Sequence, residues 1–328
     1  MAFAIINAKT PVMSTHTIPI VDLSEFTSGG ETKQKFVHEI GKAFEDKGFV
    51  SVRNHGVSQQ LIDDYYAAVQ KFFALPSDVK KKYEKPELAG QRGYTSFGKE
   101  TAKGYEAPDL KEFWQMGQIV EGEELSKADY PDNLVVTEVP EFNELSVRLF
   151  KAFESSAREL LRAIAIHLGI GEFYFDKHIH NGNSILRAIH YPPITQEPKS
   201  AVRAEQHEDI NLITLLVGAS AEGLQLLTKQ GEWLDITAPE GCLVINVGDM
   251  LQRLTNNRLK STTHRVVNPP REKWHTARYS IPFFTHPRSE MRLDCLPGCI
   301  DAQHPIAYAP ISAGEYLNER LIEIGLKK

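Results

Sequence analysis

The sequence predicts an all-β core with flanking helices, in which an antiparallel sandwich or jelly-roll barrel carries a helical N-terminal region. Two observations support this prediction. Before Asn181 the apolar residues recur mainly at helical spacing, whereas after it they fall in short runs separated by turn residues. Seven or more strands with few helices between them favour an antiparallel barrel over a parallel α/β sheet.

In the N-terminal half, three segments have the 3.6-residue period of amphipathic helices. They cover 32–48, ending at Gly48; 58–75, with Ser58 as N-cap and Pro76 as stop; and 140–170, with Pro140 at the start. Short strands are predicted at 17–26, 49–57 and 110–117, and the stretch from Lys85 to Gly104 predicts loops with one hairpin.

In the C-terminal half, the apolar runs predict a series of strands. They are 184–191, 211–218, 224–228, 232–236, 242–248, 261–267 and 277–284. A last helix begins at Ser312, with Glu315 in capping-box register. We therefore expect a mainly helical region at 1–180, a jelly-roll core at 181–310 and a C-terminal helix at 311–328.

Composition excludes several classes of protein. The 328 residues are 41% hydrophobic and 24% charged, as in ordinary globular proteins. A net charge of -6 argues against a nucleic-acid partner, which would require a basic surface. No secretory signal, membrane span or disulfide framework is recognisable, so we expect a cytoplasmic location, and nothing in the sequence indicates an oligomeric state.

The run "RAEQHEDINLITLLVG" (203–218) otherwise resembles a buried strand but begins with three polar residues. Because side chains at i and i+2 of a strand share a face, His207 and Asp209 are expected to project together, with Glu208 turned away. By itself the pattern fits either a metal site or the polar end of a strand.

Features further along the chain favour the metal site. His264 opens a second strand, and Arg278 and Ser280 lie at i and i+2 on a third. Two histidines and one carboxylate on one face of Fe(II) leave open positions for substrates, while an arginine fork suits a carboxylate. Catalytic zinc can use the same three ligands and stays an alternative, as does a barrel that only binds a ligand.

These residues resemble the isopenicillin N synthase-like family of Fe(II) oxygenases, most of which use 2-oxoglutarate. The matching segments are "HEDINLITLL", "CLVINVGDMLQRLTNNRLKSTTHRVV" and "RYSIPFF", and the N-terminal "IPIVDLSEF" and "GFVSVRNHGV" are similar to the family's leading domain. The resemblance implies a double-stranded β-helix (jelly roll, cupin-like) and an oxidoreductase of the dioxygenase class, of a kind found in secondary metabolism. Its implied co-substrates are 2-oxoglutarate and O2, with succinate and CO2 as products.

The resemblance also implies roles for individual residues. Fe(II) would bind His207, Asp209 and His264. Arg278 and Ser280 would hold the distal carboxylate of 2-oxoglutarate with help from Tyr191, and Asn246 matches a recurrent inner-strand position near the co-substrate. An oxidase of the isopenicillin N synthase type, which needs no 2-oxo acid, is the alternative within this fold, because there the same Arg-x-Ser pair binds the substrate.

The substrate is expected to be a small molecule that undergoes hydroxylation, desaturation or cyclisation. Strand alternation places Arg187 and Ile189 on the face of Tyr191, and these two residues with Phe284 are the predicted substrate contacts. An inward Arg187 indicates either an anionic group on the substrate or an ion pair with a neighbouring acidic side chain.

Overall fold

The computed structural model describes residues 18–101, 104–105, 107–218 and 222–323. Eight α-helices lie in these ranges: α1 Leu23–Ser28, α2 Gly30–Asp46, α3 Gln59–Phe73, α4 Ser77–Lys81, α5 Pro140–Leu168, α6 Asp176–Ile179, α7 Asp249–Leu254 and α8 Ala313–Glu323. The strands of the N-terminal half are β1 Ile20–Asp22, β2 Phe49–Arg53, β3 Gly93–Thr95 and β4 Glu112–Gly117. Those of the C-terminal half are β5 Ile185–Tyr191, β6 Ala204–His207, β7 Ile213–Val217, β8 Leu224–Leu227, β9 Trp233–Asp235, β10 Leu243–Val247, β11 His264–Val266, β12 Arg278–Ser280 and β13 Pro282–Thr285.

The strands form two sheets, as a jelly roll requires. The larger sheet has the order β1-β2-β10-β7-β13-β5-β4-β3, with β12 also paired to β5, and the smaller has the order β6-β11-β8-β9. Apart from the parallel β1-β2 pair, all pairings are antiparallel. The N-terminal half thus supplies four strands of the larger sheet, and the division at residue 181 stays a prediction.

The run 203–218, which resembles a single strand in the sequence, forms two strands, and this corrects the sequence analysis. β6 ends at His207 in the smaller sheet, whereas β7 begins at Ile213 in the larger one. Asp209 therefore lies in the connection that crosses between the sheets. The predicted strand at 17–26 is likewise shorter, because Asp22 caps helix α1 by accepting a hydrogen bond from the Ser24 amide at 3.0 Å.

The three long helices, α2, α3 and α5, cover the outer face of the larger sheet. Phe153 of α5 stacks on Phe283 of β13 with ring centroids 5.5 Å apart, and Phe72 of α3 stacks on Phe142 of α5 at 5.2 Å. α5 ends at Gly169, whose φ of 71° suits the left-handed C-cap. A separate apolar cluster lies between the sheets, and several of its residues line the cavity described below. The helices therefore fix the larger sheet from outside and leave its inner face for the site.

One lysine of the basic run at 80–82 is buried, although a solvated helix end is the simplest prediction for such a run. Lys80 is 7% exposed, and its ammonium lies 2.8 Å from the Glu112 carboxylate. Glu112 also accepts from Tyr94 and lies 2.7 Å from the His190 ring nitrogen. This buried network ties α4 to β4 and β5.

The C-terminal helix α8 has the predicted cap. The Ser312 amide donates to the Glu315 carboxylate at 2.9 Å, and the Glu315 amide donates back to the Ser312 hydroxyl at 3.3 Å. The helical period places Leu317, Leu321 and Ile324 on one side of this helix, and Ile324 lies outside the described residues.

Candidate metal and co-substrate site

The inner faces of the two sheets enclose a cavity of about 600 Å³. Alternate residues of β5, namely Ile185, Arg187, Ile189 and Tyr191, line one side of it, as the predicted alternation requires. His190 points to the opposite face, where its ring stacks on Tyr279 with centroids 4.7 Å apart. The cavity also contains the predicted metal ligands.

His207, Asp209 and His264 converge at the end of the smaller sheet. The two histidines are antiparallel register partners on β6 and β11, and their ring centroids are 4.4 Å apart. Asp209 Oδ1 lies 3.9 Å from His207 Nε2 and 3.8 Å from His264 Nε2. One ligand atom from each residue falls within 4.8 Å of the others, and no other such group occurs among the described residues.

Hydrogen bonds fix which ring nitrogen of each histidine is available. His207 Nδ1 lies 2.7 Å from the Glu205 carbonyl, and His264 Nδ1 lies 3.1 Å from the Thr262 carbonyl. A carbonyl can only accept, so each Nδ1 carries a proton, and Nε2 is the ring nitrogen left to bind a metal. Burial, and the positive charge that His264 carries when it is protonated, lower the pKa of His207, so this ring favours its neutral form.

The Asp209 carboxylate is held from the larger sheet. Its Oδ2 accepts from Thr214 Oγ1 at 2.5 Å and from Asn246 Nδ2 at 2.8 Å, and these two donors are register partners on β7 and β10. Burial alone would raise the pKa of Asp209, but the two histidines and these two hydrogen bonds hold it below its ordinary value. Asn246 therefore contacts the carboxylate ligand, and Oδ1 stays directed at the histidines.

This donor set fits Fe(II). Two imidazoles and one carboxylate on one side of a centre match the facial arrangement that leaves open positions on the other side. The outer partners of all three ligands are in place, as metal sites require. Glu208, the third polar residue of the run, turns away and accepts from Thr263 Oγ1 at 3.0 Å.

A second group of predicted residues lies on β12 and β5. Arg278 pairs in register with Tyr191, and Ser280 pairs with Ile189. All four line the cavity, and the Arg278 guanidinium lies 5.0 Å from the Tyr191 ring centroid. Arg278 is 1% exposed, so a positive charge is buried at this end of the cavity. The chemistry suits one end of a dicarboxylate.

Arg203, which the sequence analysis does not single out, adds a second buried guanidinium here. Its side chain is 1% exposed, lies 6.0 Å from the Tyr191 ring centroid and donates to the Thr276 carbonyl at 3.0 Å. Burial and the charge of Arg278 lower the pKa of Arg203 to about 10. Two guanidinium groups therefore flank Tyr191.

The opposite part of the cavity is a wall of paired charges. Arg187 Nε donates to Gln115 Oε1 at 2.8 Å, and its Nη1 lies 3.6 Å from Glu100 Oε2. Lys111 Nζ contacts both Glu100 Oε1 at 2.6 Å and Asp109 Oδ2 at 2.8 Å. Burial alone would raise the pKa of Glu100, but the charges of Lys111 and Arg187 outweigh it and hold the pKa at about 2.

The other two predicted substrate contacts, Ile189 and Phe284, line the cavity, and so does Thr101. Trp114 packs in the outer core with Phe72, where the ring centroids are 5.1 Å apart. The described part of α8 also contributes to the cavity wall, through Leu317, Arg320, Leu321 and Glu323.

Comparison with known proteins gives the family. Residues 18–138 match the model of the N-terminal region of non-haem dioxygenases in morphine synthesis, and residues 182–287 match that of the 2OG-Fe(II) oxygenase superfamily. A 2-oxoglutarate-Fe(II) type oxidoreductase from Emericella nidulans, hxnY, is 32% identical over 90% of this chain and 86% of its own length. The chain belongs to the isopenicillin N synthase-like family of 2OG-Fe(II) oxygenases.

Solved structures of related proteins agree in fold. A 2OG-Fe(II) oxygenase family protein from Caulobacter crescentus is 42% identical, with a TM-score of 0.85 over 94% of this chain and 99% of its own. A full-length Neurospora crassa protein in complex with alpha-KG is 33% identical, with a TM-score of 0.81 over 93% of this chain and 96% of its own. The same Neurospora crassa protein is also known in complex with alpha-KG and thymine.

The predicted class of enzyme is therefore confirmed. The protein is a dioxygenase that uses Fe(II), 2-oxoglutarate and O2 to oxidise a small molecule. The family evidence favours this over the oxidase that needs no 2-oxo acid. None of the helices that the structure describes has the length and hydropathy needed to cross a bilayer.

Several residues of the site carry no local signal in the sequence. Thr214 resembles any polar residue of a strand until its pairing with Asn246 is known. Glu100 lies in a loop stretch without periodicity, and Gln115 and Lys111 resemble ordinary residues of a strand and its approach. The charged wall depends on contacts between residues far apart in sequence, which no spacing rule reports.

Proposed function

We propose that His207, Asp209 and His264 bind the catalytic Fe(II), and that Arg278 and Ser280 bind the distal carboxylate of 2-oxoglutarate. The convergence of two Nε2 atoms and one carboxylate oxygen in a cavity shared with Arg278 carries this proposal. The outer hydrogen bonds of the three ligands add support, because they direct the lone pairs inward.

Bound Fe(II) supplies open coordination positions at which 2-oxoglutarate and O2 react to give succinate, CO2 and an oxidised substrate. The protein contributes by positioning the groups that react. Asn246 and Thr214 hold Asp209, and backbone carbonyls hold the two imidazoles. Tyr191 packs against the Arg278 guanidinium and limits how far it can move.

The substrate is proposed to occupy the cavity between the metal ligands and the side chains of Arg187, Ile189 and Phe284. All three line the same cavity as the ligands. The Neurospora crassa relative, about a third identical, binds thymine in its structure, which supports a small molecule of about this size. Whether the product is hydroxylated, desaturated or cyclised depends on the substrate.

Succinate formation tests the residue assignments. Protein loaded with Fe(II) without oxygen and then given 2-oxoglutarate, O2 and a small-molecule panel should release succinate. His207→Ala should abolish this release, while its circular dichroism spectrum matches that of the wild type. Exposed His38→Ala, on helix α2, is the matched control and should keep full activity. Succinate release by His207→Ala at the wild-type rate would refute the metal assignment.

We also propose a cytoplasmic location. All three cysteines, Cys242, Cys295 and Cys299, are free thiols, as is usual in a reducing compartment. Cell fractionation with an antibody to the protein tests this, and recovery in a membrane or secreted fraction would contradict it.

A further inference from the structure

The Arg187 guanidinium has its charge balanced while most of its hydrogen-bond donors stay available. The ion pair with Glu100 at 3.6 Å is too long for a hydrogen bond, so the carboxylate neutralises the charge without occupying the Nη donors. Among the described residues, the only hydrogen-bond acceptor for Arg187 is Gln115, at Nε. Arg187 can therefore donate to a ligand in the cavity without needing an anion.

The wall around Arg187 is balanced as a whole. Lys111 forms ion pairs with both Glu100 and Asp109, so two cations face two carboxylates. Lys111 and Asp109 are nearly fully buried, with 6% and 4% exposure. A buried ion is costly unless it is paired, so an additional charge from a ligand would have no counterion at this wall.

The remaining charged groups of the cavity do not favour an anion either. Arg320 of α8 forms an ion pair with Glu323 at 2.6 Å. Glu208 and Asp249 line the side of α8, where burial and the charge of Glu208 raise the pKa of Asp249 to about 7, so this pair adds between one and two negative charges at pH 7. At the metal end, the charges of Fe(II) and Arg278 would be matched by Asp209 and the dianion 2-oxoglutarate. Arg203, the second guanidinium beside Tyr191, is not among the residues that line the cavity.

Aromatic rings shape the space beside Arg187. The guanidinium carbon lies 4.3 Å from the Phe113 ring centroid and 5.1 Å from that of Phe284. Contacts with two rings limit the movement of the guanidinium. A ligand oxygen that accepts a hydrogen bond from it is therefore held in this part of the cavity.

We propose that the substrate is an uncharged molecule with a carbonyl-type oxygen, such as an amide or lactam, which Arg187 binds as a neutral acceptor. The proposal rests on the proposed function, because it takes this cavity as the substrate site. Arg187 thus selects substrates by hydrogen bonding, and Glu100 prevents it from acting as a carboxylate receptor.

Matched ligands that differ only in charge test this proposal. Calorimetric titration of the anaerobic protein, Fe(II) and 2-oxoglutarate complex would compare carboxamides with carboxylates on phenyl, pyridyl and indolyl rings, with aminomethyl compounds as the cationic set. The carboxamide of each pair should bind at least about tenfold more tightly than the carboxylate, since an unpaired buried charge is costly. Tighter binding of the carboxylates or the amines, or no difference within the pairs, including no detectable binding, would overturn the proposal.

Charge variants of the wall sharpen the test. Glu100→Gln leaves Arg187 without its counterion, so carboxylates should gain on carboxamides by about 100-fold, the effect of one charge at about 6 Å with an effective dielectric constant of about 20. If Glu100→Gln does not fold, Gln115→Glu adds a second carboxylate beside Arg187 and should weaken carboxylate binding further. Glu121→Gln removes an exposed carboxylate paired with Lys151 and is the matched control, in which the ratio of carboxamide to carboxylate affinity should equal that of the wild type. If this ratio is also unchanged in both Glu100→Gln and Gln115→Glu, the proposal is contradicted.

Failure of this proposal differs from failure of the proposed function. The charge-transfer absorption band of the anaerobic Fe(II) and 2-oxoglutarate complex reports co-substrate binding, whatever the substrate is. A normal band combined with a preference for carboxylates would overturn only the substrate class. Absence of the band would count against the residue assignments themselves.

Discussion

Removing the Asn246 amide should weaken iron binding without unfolding the protein. Asn246 Nδ2 donates to Asp209 Oδ2 at 2.8 Å in a buried setting, and Thr214 is the other side-chain donor to that oxygen. A hydrogen bond to a charged group contributes about 1.5–3 kcal/mol. Loss of an outer partner of a metal ligand typically lowers metal affinity by about 10- to 100-fold, and we expect Asn246→Ala to fall in this range.

Anaerobic titration with Fe(II), followed by absorbance after 2-oxoglutarate is added, measures this affinity. Asn256→Ala is the matched control, because Asn256 is also buried but donates to the Cys299 carbonyl at 3.0 Å, away from the metal ligands. It should lower the free energy of unfolding and leave iron affinity unchanged. An iron affinity for Asn246→Ala within about threefold of the wild type would refute the reasoning, since it lies below the range expected for an outer partner.

Three further predictions concern the co-substrate, pH and stability. Arg278→Gln should raise the KM for 2-oxoglutarate by about 10- to 100-fold, the value of a charged hydrogen bond, and an unchanged KM in steady-state assays would contradict its role. Burial lowers the folded-state pKa of His286 to about 4, below the ordinary 6.5, so the unfolded chain takes up the proton first as pH falls. Protonation of this group should therefore lower the free energy of unfolding of the metal-free protein by about 2 kcal/mol between pH 7 and 5. In urea unfolding, the stability of His286→Leu should depend less on pH than that of the wild type, and an equal dependence would be evidence against this. Lys80→Met leaves Glu112 buried without its ion pair and should lower the free energy of unfolding by about 3–5 kcal/mol. The control Lys71→Met, at an exposed lysine, should lower it by under about 1 kcal/mol. Equal losses in the two variants would show that burial of the pair is unimportant.

The parts of the molecule that were predictable depend on local periodicity. The long helix α5, the capping box at Ser312 and the alternation of Arg187, Ile189 and Tyr191 all follow from spacing within one element. The grouping of His207 with His264 was implied by the resemblance to the family, and the structure places their ring centroids 4.4 Å apart. The predicted jelly roll and enzyme class are confirmed by the family comparison.

What the sequence could not provide depends on pairing between distant elements. Asp209 lies in the connection that crosses between the two sheets. Alternation along one strand correctly predicted that Asp209 lies beside His207, but the two residues do not lie on the same strand. Asn246 and Thr214 meet Asp209 only because β10 and β7 are neighbours in register. Lys80 is buried by a carboxylate 32 positions away, which the basic run around it conceals.

The central claim is that His207, Asp209 and His264 form the iron site of a 2-oxoglutarate-dependent oxygenase. The most direct measurement is anaerobic titration of the wild type and Asp209→Ala with Fe(II) and then 2-oxoglutarate, followed by the charge-transfer absorption band. The wild type should bind one Fe(II) per chain and develop the band on addition of 2-oxoglutarate, whereas folded Asp209→Ala should show neither. A band of equal intensity in both proteins, or none in the iron-loaded wild type, would contradict the claim.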